Sequence, residues 1–189
     1  LRNQSFTNYS LLVVDDNSEN IDELINHDDD KLNVIRFNRK FRLSYAEKYN
    51  YAYKEALKYN PKYIFKMHTD MALISKDLLK NMVFSMEKNS QVVCVGPTIF
   101  NSVGTKTWGL GIVKERCGHK YRVHECYMVK SSYLTKFNGF QDEIFIWFGE
   151  EMDFFSRIYI NNFKVSQVDD DIIHYGGATS SNFRMIKKY

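Results

Sequence analysis

"YIFKMHTDMALISKDLL", residues 63–79, holds three kinds of sequence in one short stretch. The apolar run at its start is of strand length. Leu78 and Leu79 at its end open a helical pattern. Between them stands the polar triplet His68-Thr69-Asp70, with one carboxylate. In an open α/β sheet, ligands bind beyond the carboxyl ends of the strands, so a carboxylate placed there is a candidate site residue.

Working outward, the same alternation repeats. Before the stretch, a helix is expected over residues 44–59. Ser44 can cap it, and Glu47 three residues later completes a capping box. Tyr45, Tyr49, Ala52, Tyr53, Ala56 and Leu57 fall on its inner face, and Asn60-Pro61 ends it. Two apolar strands precede it, "SLLVV" (10–14) and "KLNVIRF" (31–37). After the stretch, a helix from Ser75 has Leu78, Leu79, Met82, Val83 and Met86 inward. "QVVCVGP" (91–97) is a strand stopped by Gly96-Pro97, and residues 101–122 are loop-like. "VHECYMV" (123–129) is a fifth strand. Helices are expected at 131–137 and about 150–161, the second with Phe154, Phe155, Ile158 and Tyr159 inward. "KVSQV" and "DIIHY" close the chain as strands. Alternating β and α elements predict an α/β fold, a mostly parallel central sheet flanked by helices. No repeat or domain boundary divides the 189 residues, so one domain over 1–189 is expected.

The totals exclude some partners. A net charge of +3 is too small to argue for nucleic acid. The basic run "RFNRKFR" (36–42) reads equally as a solvated turn or an anion-facing loop. Three cysteines, Cys94, Cys117 and Cys126, form no disulfide framework and suggest a reducing compartment. No run approaches the ~18 apolar residues of a membrane span, and no secretory signal is visible. The chain begins with Leu1 rather than Met, as a fragment or processed product would.

Five places carry chemistry. Asp15-Asp16 end the first strand as Asp70 ends the third; the plainer reading of Asp15 to Ser18 is a turn or helix cap. Glu150 and Glu151 in "WFGEEMDFF" are first-turn acids stabilised by the helix dipole, or a general base at the mouth of a site. His174, at a strand end before two glycines, is a structural histidine or a metal ligand. Cys117, His119, His124 and Cys126 offer four soft ligands, but their spacing departs from common zinc sites.

In this order the segments resemble an inverting glycosyltransferase of the GT-A fold, from the large family that includes bacterial rhamnosyltransferases. "NQSFTNYSLLVVDDNSEN" is similar to the segment leading into that family's nucleotide-binding acids. "YNYAYKEALKYNPKYIFKMHTDMALISKDLL" is similar to its helix, strand and metal-binding triplet. "FNGFQDEIFIWFGEEMDFFSRIYINNFKV" resembles its acceptor-side segment and "DDDIIHYGG" its closing strand and histidine. The resemblance implies a nucleotide-diphosphate sugar donor and a Mn²⁺ or Mg²⁺ cofactor on Asp70 and His174, an imidazole leaning toward Mn²⁺. It implies nucleotide contacts from Asp15, Asp16 and Asn50, a base at Glu151 with Glu150 as partner or alternative, and an acceptor side at Trp147 and Trp108. The acceptor would be a glycan, lipid-linked or protein hydroxyl. It places the protein in the cytoplasm in polysaccharide biosynthesis, with no transmembrane segment and peripheral membrane association left open.

The chain departs from the pattern. His68 stands where the family's Asp-x-Asp motif begins, and "RKFRLSY" replaces a Gly-rich stretch. The family's first strand and helix have no counterpart ahead of "LRNQSF", which implies either residues missing from the front or a domain that does not bind nucleotide normally. A catalytically inactive binding domain is therefore the competing expectation. A nucleotidyltransferase is a third, lacking its Gly-rich phosphate loop.

Overall fold

The computed structural model describes residues 1, 3–16, 18, 30–37, 44–101, 106–108, 114–116, 119–121, 126–137, 140 and 150–175. Its strands are β1 (Leu11–Asp15), β2 (Leu32–Arg36), β3 (Tyr63–Lys66), β4 (Met71–Leu73), β5 (Val92–Asn101), β6 (Lys106–Trp108), β7 (Lys114–Arg116), β8 (His119–Tyr121), β9 (Tyr127–Lys130) and β10 (Lys164–His174). Its helices are α1 (Tyr45–Leu57), α2 (Leu78–Lys88), α3 (Ser131–Lys136) and α4 (Glu150–Ile160).

The main sheet has the order β3-β9-β5-β10-β4, with β6 added to β5. Side chains alternate across it, except at Val93-Cys94 of β5, where the register with β10 shifts. Val92, Val95 and Met128 face one core with Leu78, Leu79, Met82 and Met86 of α2. Val93, Cys94, Tyr127 and Val129 face a second core with Tyr53 of α1, Tyr133 and Leu134 of α3, and Phe154, Phe155 and Ile158 of α4. Helices thus cover both faces, as expected of the α/β class.

The strand sense is more mixed than the expected parallel sheet. β1 pairs β2, and β5 pairs β10, in parallel. β3–β9, β5–β9, β5–β6 and β4–β10 are antiparallel. Apart from β5–β6, the antiparallel partners are distant in the chain: 71–73 pairs with 172–174, and 63–66 with 127–130.

Several boundaries moved for local reasons. β5 does not stop at Gly96-Pro97 but runs to Asn101. Proline removes a ladder donor, and here β10 shifts register between Gln167 and Asp171, opposite this point. The two expected closing strands are therefore one. The capping box on α1 is formed in both directions, but its buried residues are Ala46, Asn50 and Tyr53. On α4, Tyr159 is exposed while Glu150 and Glu151 are buried. Asn60 and Asn162 take positive φ (51° and 59°), a conformation asparagine tolerates, where the chain turns out of α1 and α4.

The start of α2 is capped from a distance. Asp77 makes no side-chain cap hydrogen bond. Instead Leu79 N–H donates to Gln4 Oε1 (3.1 Å), and Gln4 Nε2 donates to the Ser75 carbonyl (2.7 Å). Leu1, Phe6 and Tyr9 pack against the same core, so the first segment is anchored onto α2.

Candidate active site

The strand of the opening stretch ends at Lys66, and β4 begins at Met71 directly after the triplet. That short strand fixes the site. It runs antiparallel to β10 with His174 opposite Met71, and the Tyr175 N–H donates to the Asp70 carbonyl (2.9 Å). This register sets His174 Nε2 at 3.2 Å from Asp70 Oδ2. His68 joins them: one ligand atom from each of His68, Asp70 and His174 lies within 4.8 Å of the others.

Aromatic side chains hold His68. Tyr49 Oη lies 2.5 Å from His68 Nε2. The Tyr45 and Tyr49 rings lie nearly parallel to the imidazole (15° and 16°), and His174 meets it edge-on with centroids 5.9 Å apart. Burial first, then the charges of Lys66, His174 and Lys48, push the His68 pKa down to about 3. The imidazole is therefore neutral at ordinary pH, and a neutral ring is the form that ligates a cation.

Two imidazoles and a carboxylate are a donor set that suits a divalent transition metal. The 3.2 Å between His174 and Asp70 is close to the roughly 3 Å edge of an octahedron with ~2.1 Å bonds. The residues present fit such an ion, and His68, which stands where the expected motif has an acid, would offer a third ligand atom.

The acids after β1 are tied into structure. Asp15 is buried, accepts from the Ser18 N–H (3.0 Å) and lies 3.3 Å from Arg36 Nε. Asp16 reaches 3.1 Å to Lys48 Nζ on α1, and that ammonium sits 4.9 Å over the Tyr45 ring. Asn50 is buried on the same helix. Lys48 thus links the end of β1 to the aromatic wall of His68.

Glu150 and Glu151 open α4, where carboxylates suit the helix dipole. Both are buried. Glu150 Oε2 has no hydrogen-bond partner among the described residues. Glu151 Oε1 lies 2.5 Å from Lys66 Nζ, with side chains only 6% and 11% exposed for Lys66 and Glu151. The Lys66 ammonium also lies 4.1 Å over the Tyr49 ring and 5.2 Å over Tyr127. Burial works against its charge, but Glu151, then Tyr49 and Tyr53, more than offset this and hold its pKa above the usual lysine value. Lys66 was not anticipated. Its signal was a lysine inside an apolar strand, on the inward side with Ile64.

Of the other expected residues, Trp147 lies outside the described residues, as do Cys117 and His124 of the zinc reading. Trp108 is placed by backbone only, on β6 opposite Ile99. His119 is likewise a backbone position, on β8. Cys126 is a buried residue of the α2-side core. Most of the basic run 36–42 also lies outside the described residues.

Comparison with known proteins agrees with this architecture. No curated protein matches the chain. Among solved structures, S. aureus TarS superposes with a TM-score of 0.70 at 16% identity, over 92% of this chain and 32% of that one. GalNAc-T7, solved with UDP, GalNAc and Mn²⁺, gives 0.66 at 14%, over 89% and 37%. A Drosophila β1,4-galactosyltransferase 7 mutant, solved with manganese, UDP-Gal and xylobiose, gives 0.55 at 14%, over 96% and 80%. The chain therefore spans about a third of the length of the first two. These likenesses establish the GT-A fold. The family model described as "Glycosyl transferase family 2" matches residues 1–147, which include β1, β2, α1 and the triplet but end before α4 and His174. This chain belongs to glycosyl transferase family 2.

Proposed function

We propose that this chain is the catalytic part of a metal-dependent inverting glycosyltransferase. It moves a sugar from a nucleotide-diphosphate donor to a hydroxyl of a glycan, lipid-linked or protein acceptor. The observation that carries the reading is the convergence of His68, Asp70 and His174 at one sheet edge, with family membership beside it. GalNAc-T7 and the Drosophila enzyme were solved with UDP or UDP-Gal and manganese, which supports a donor and a metal of the same class here.

In this reading Asp70, His68 and His174 hold a divalent cation, Mn²⁺ being favoured by the two imidazoles. The bound ion neutralises charge that develops on the departing diphosphate. Asp15, Asp16 and Asn50 form the nucleotide side, with Asp15 accepting from the Ser18 N–H and Asp16 paired to Lys48. Glu151 takes the proton of the acceptor hydroxyl as that oxygen attacks the anomeric carbon, with Glu150 beside it. Trp108 and Trp147 belong to the acceptor side, and the 101–122 segment shapes acceptor choice. Buried thiols at Cys94 and Cys126 suit a reducing, cytoplasmic setting. Among the described residues no helix is long and apolar enough to cross a membrane. Association with the cytoplasmic membrane face would then be peripheral.

Isothermal titration with UDP, GDP and dTDP, each with and without Mn²⁺, tests the reading. Binding of at least one diphosphate, strengthened by Mn²⁺, is expected. No binding of any of them with metal present overturns it.

A further inference from the structure

We infer that Tyr49 is a positioning residue for the metal triplet: its hydroxyl takes up Nε2 of His68, which leaves Nδ1 as the ring atom that His68 offers to a cation. This rests on the reading of His68, Asp70 and His174 as a cation site.

The three members of the triplet are not held alike. Asp70 and His174 are set by backbone pairing, through the β4–β10 register and the Tyr175 N–H that donates to the Asp70 carbonyl. His68 lies between the end of β3 at Lys66 and the start of β4 at Met71, in neither strand. The pairing that fixes its two partners therefore does not fix His68. Its side chain is held from α1 instead. Tyr45 and Tyr49 stand four residues apart on that helix and share a face. The capping box of Ser44 and Glu47 fixes the first turn, on which Tyr45 stands. The two tyrosine rings lie at 15° and 16° to the imidazole, with centroids 6.4 and 6.1 Å away.

Stacking restrains the plane of the imidazole but not its edges. A half-turn about the Cβ–Cγ bond keeps the plane and exchanges each ring nitrogen for a carbon. The hydrogen bond removes that ambiguity, because Tyr49 Oη lies 2.5 Å from Nε2 and would face a C–H after the half-turn. The same bond selects the tautomer. A neutral imidazole has one N–H and one nitrogen lone pair. A cation needs the lone pair, and Nε2 is taken by Tyr49. With the cation on Nδ1, the proton sits on Nε2 and is donated to Tyr49 Oη, since a hydroxyl oxygen accepts as well as donates. Ligating imidazoles commonly give their second N–H to an oxygen in this way, which fixes both ring and tautomer. Phenylalanine in place of Tyr49 keeps the stacked ring and removes only this bond.

The test has two readouts, neither of which is turnover. Protein labelled with ¹⁵N at its five histidines is loaded with diamagnetic Zn²⁺, and the ring nitrogens are read by long-range ¹H–¹⁵N NMR, with His68 assigned from His68→Gln. A protonated Nε2 and a metal-bound Nδ1 are expected on His68. Mn²⁺ affinity, from the paramagnetic signal of the free ion, is then compared in wild type, Tyr49→Phe, His68→Ala and the double variant. Tyr49→Phe is expected to weaken Mn²⁺ binding roughly tenfold or more. The double variant is expected to lose no more than His68→Ala alone, because Tyr49 acts only through His68. A merely structural contact would lower the melting point and leave both readouts unmoved. Should Tyr49→Phe fail to fold, the ring-nitrogen signals of wild type decide alone. A metal-bound Nε2, or unchanged Mn²⁺ affinity in Tyr49→Phe, overturns the inference. If wild type binds Mn²⁺ but no nucleoside diphosphate, the transferase reading falls and the role of Tyr49 stands. If wild type binds neither Mn²⁺ nor Zn²⁺, both fall.

Discussion

Replacing Lys66 by methionine removes the charge and keeps most of the side chain's volume. The Glu151 side chain, 11% exposed, then loses the ammonium at 2.5 Å. Removing one partner of a buried pair costs about 3–5 kcal/mol, because the remaining charge loses its compensation. For a domain of this size, each kcal/mol moves the melting point by roughly 2–4 °C. The single variant should therefore melt about 6–20 °C below wild type at pH 7. Lys66→Met combined with Glu151→Leu removes both charges, and such replacements run from neutral to about 4 kcal/mol stabilising. The double variant should therefore recover at least what the single loses. Urea denaturation of wild type, both singles and the double completes the cycle and yields the coupling energy. A loss below about 1 kcal/mol in Lys66→Met would refute the reasoning, since it would mean that Glu151 is solvated once Lys66 is gone.

Three further outcomes are expected. Asp70→Asn, His174→Ala and His68→Ala should each weaken Mn²⁺ binding, read by the paramagnetic signal of free Mn²⁺, by at least the roughly tenfold typical of an outer-shell partner; unchanged affinity in His68→Ala would leave only two ligands. Gln4→Ala should cost about 1–2 kcal/mol in urea, since it strips the distant cap from α2 and leaves the Leu79 N–H unpaired; a loss within error would mean that water caps the helix equally well. Alkaline absorbance titration of the thirteen tyrosines should show a late class that includes Tyr49 and Tyr133, each raised to about 12, chiefly by burial. A phenol whose folded pKa lies above its unfolded value of ~10 leaves stability intact below pH 10 and removes it as the pH climbs toward 12. Complete ionisation by pH 11 without unfolding would contradict the packing of α1.

The elements that sequence reading located were those with a local cause. Ser44 and Glu47 state where α1 begins because both halves of the capping box lie within four residues. Leu78, Leu79, Met82 and Met86 repeat at helical spacing because one face of α2 lies on the sheet. What escaped had a distant cause. β4 is three residues long, and "MAL" has no period of its own; it is a strand because β10 pairs with it. β5 passes Pro97 because its partner changes register there. Parallel or antiparallel sense depends on which strand lies alongside, and residues 63–66 and 127–130 carry no mark of being neighbours.

The site divides in the same way. Asp70 and His174 could be singled out as polar residues at strand ends, but 104 positions separate them, and only the β4–β10 register brings them to 3.2 Å. His68 looked like a broken motif because the acid was expected by type. Judged by donor chemistry, a neutral imidazole beside a carboxylate and a second imidazole can still offer a ligand atom. The most informative residue was visible all along as an inconsistency. A lysine inside "YIFKM" violates the apolar pattern of a strand with both faces covered, and lysine is almost never buried unpaired. Such a residue demands a buried acid on the element packed over it. Of the acids in the chain, the Glu150-Glu151 pair heads a helix whose Phe154, Phe155 and Ile158 mark it as lying on that face. Charge pairing across elements could thus have brought the start of α4 to the end of β3 from the sequence.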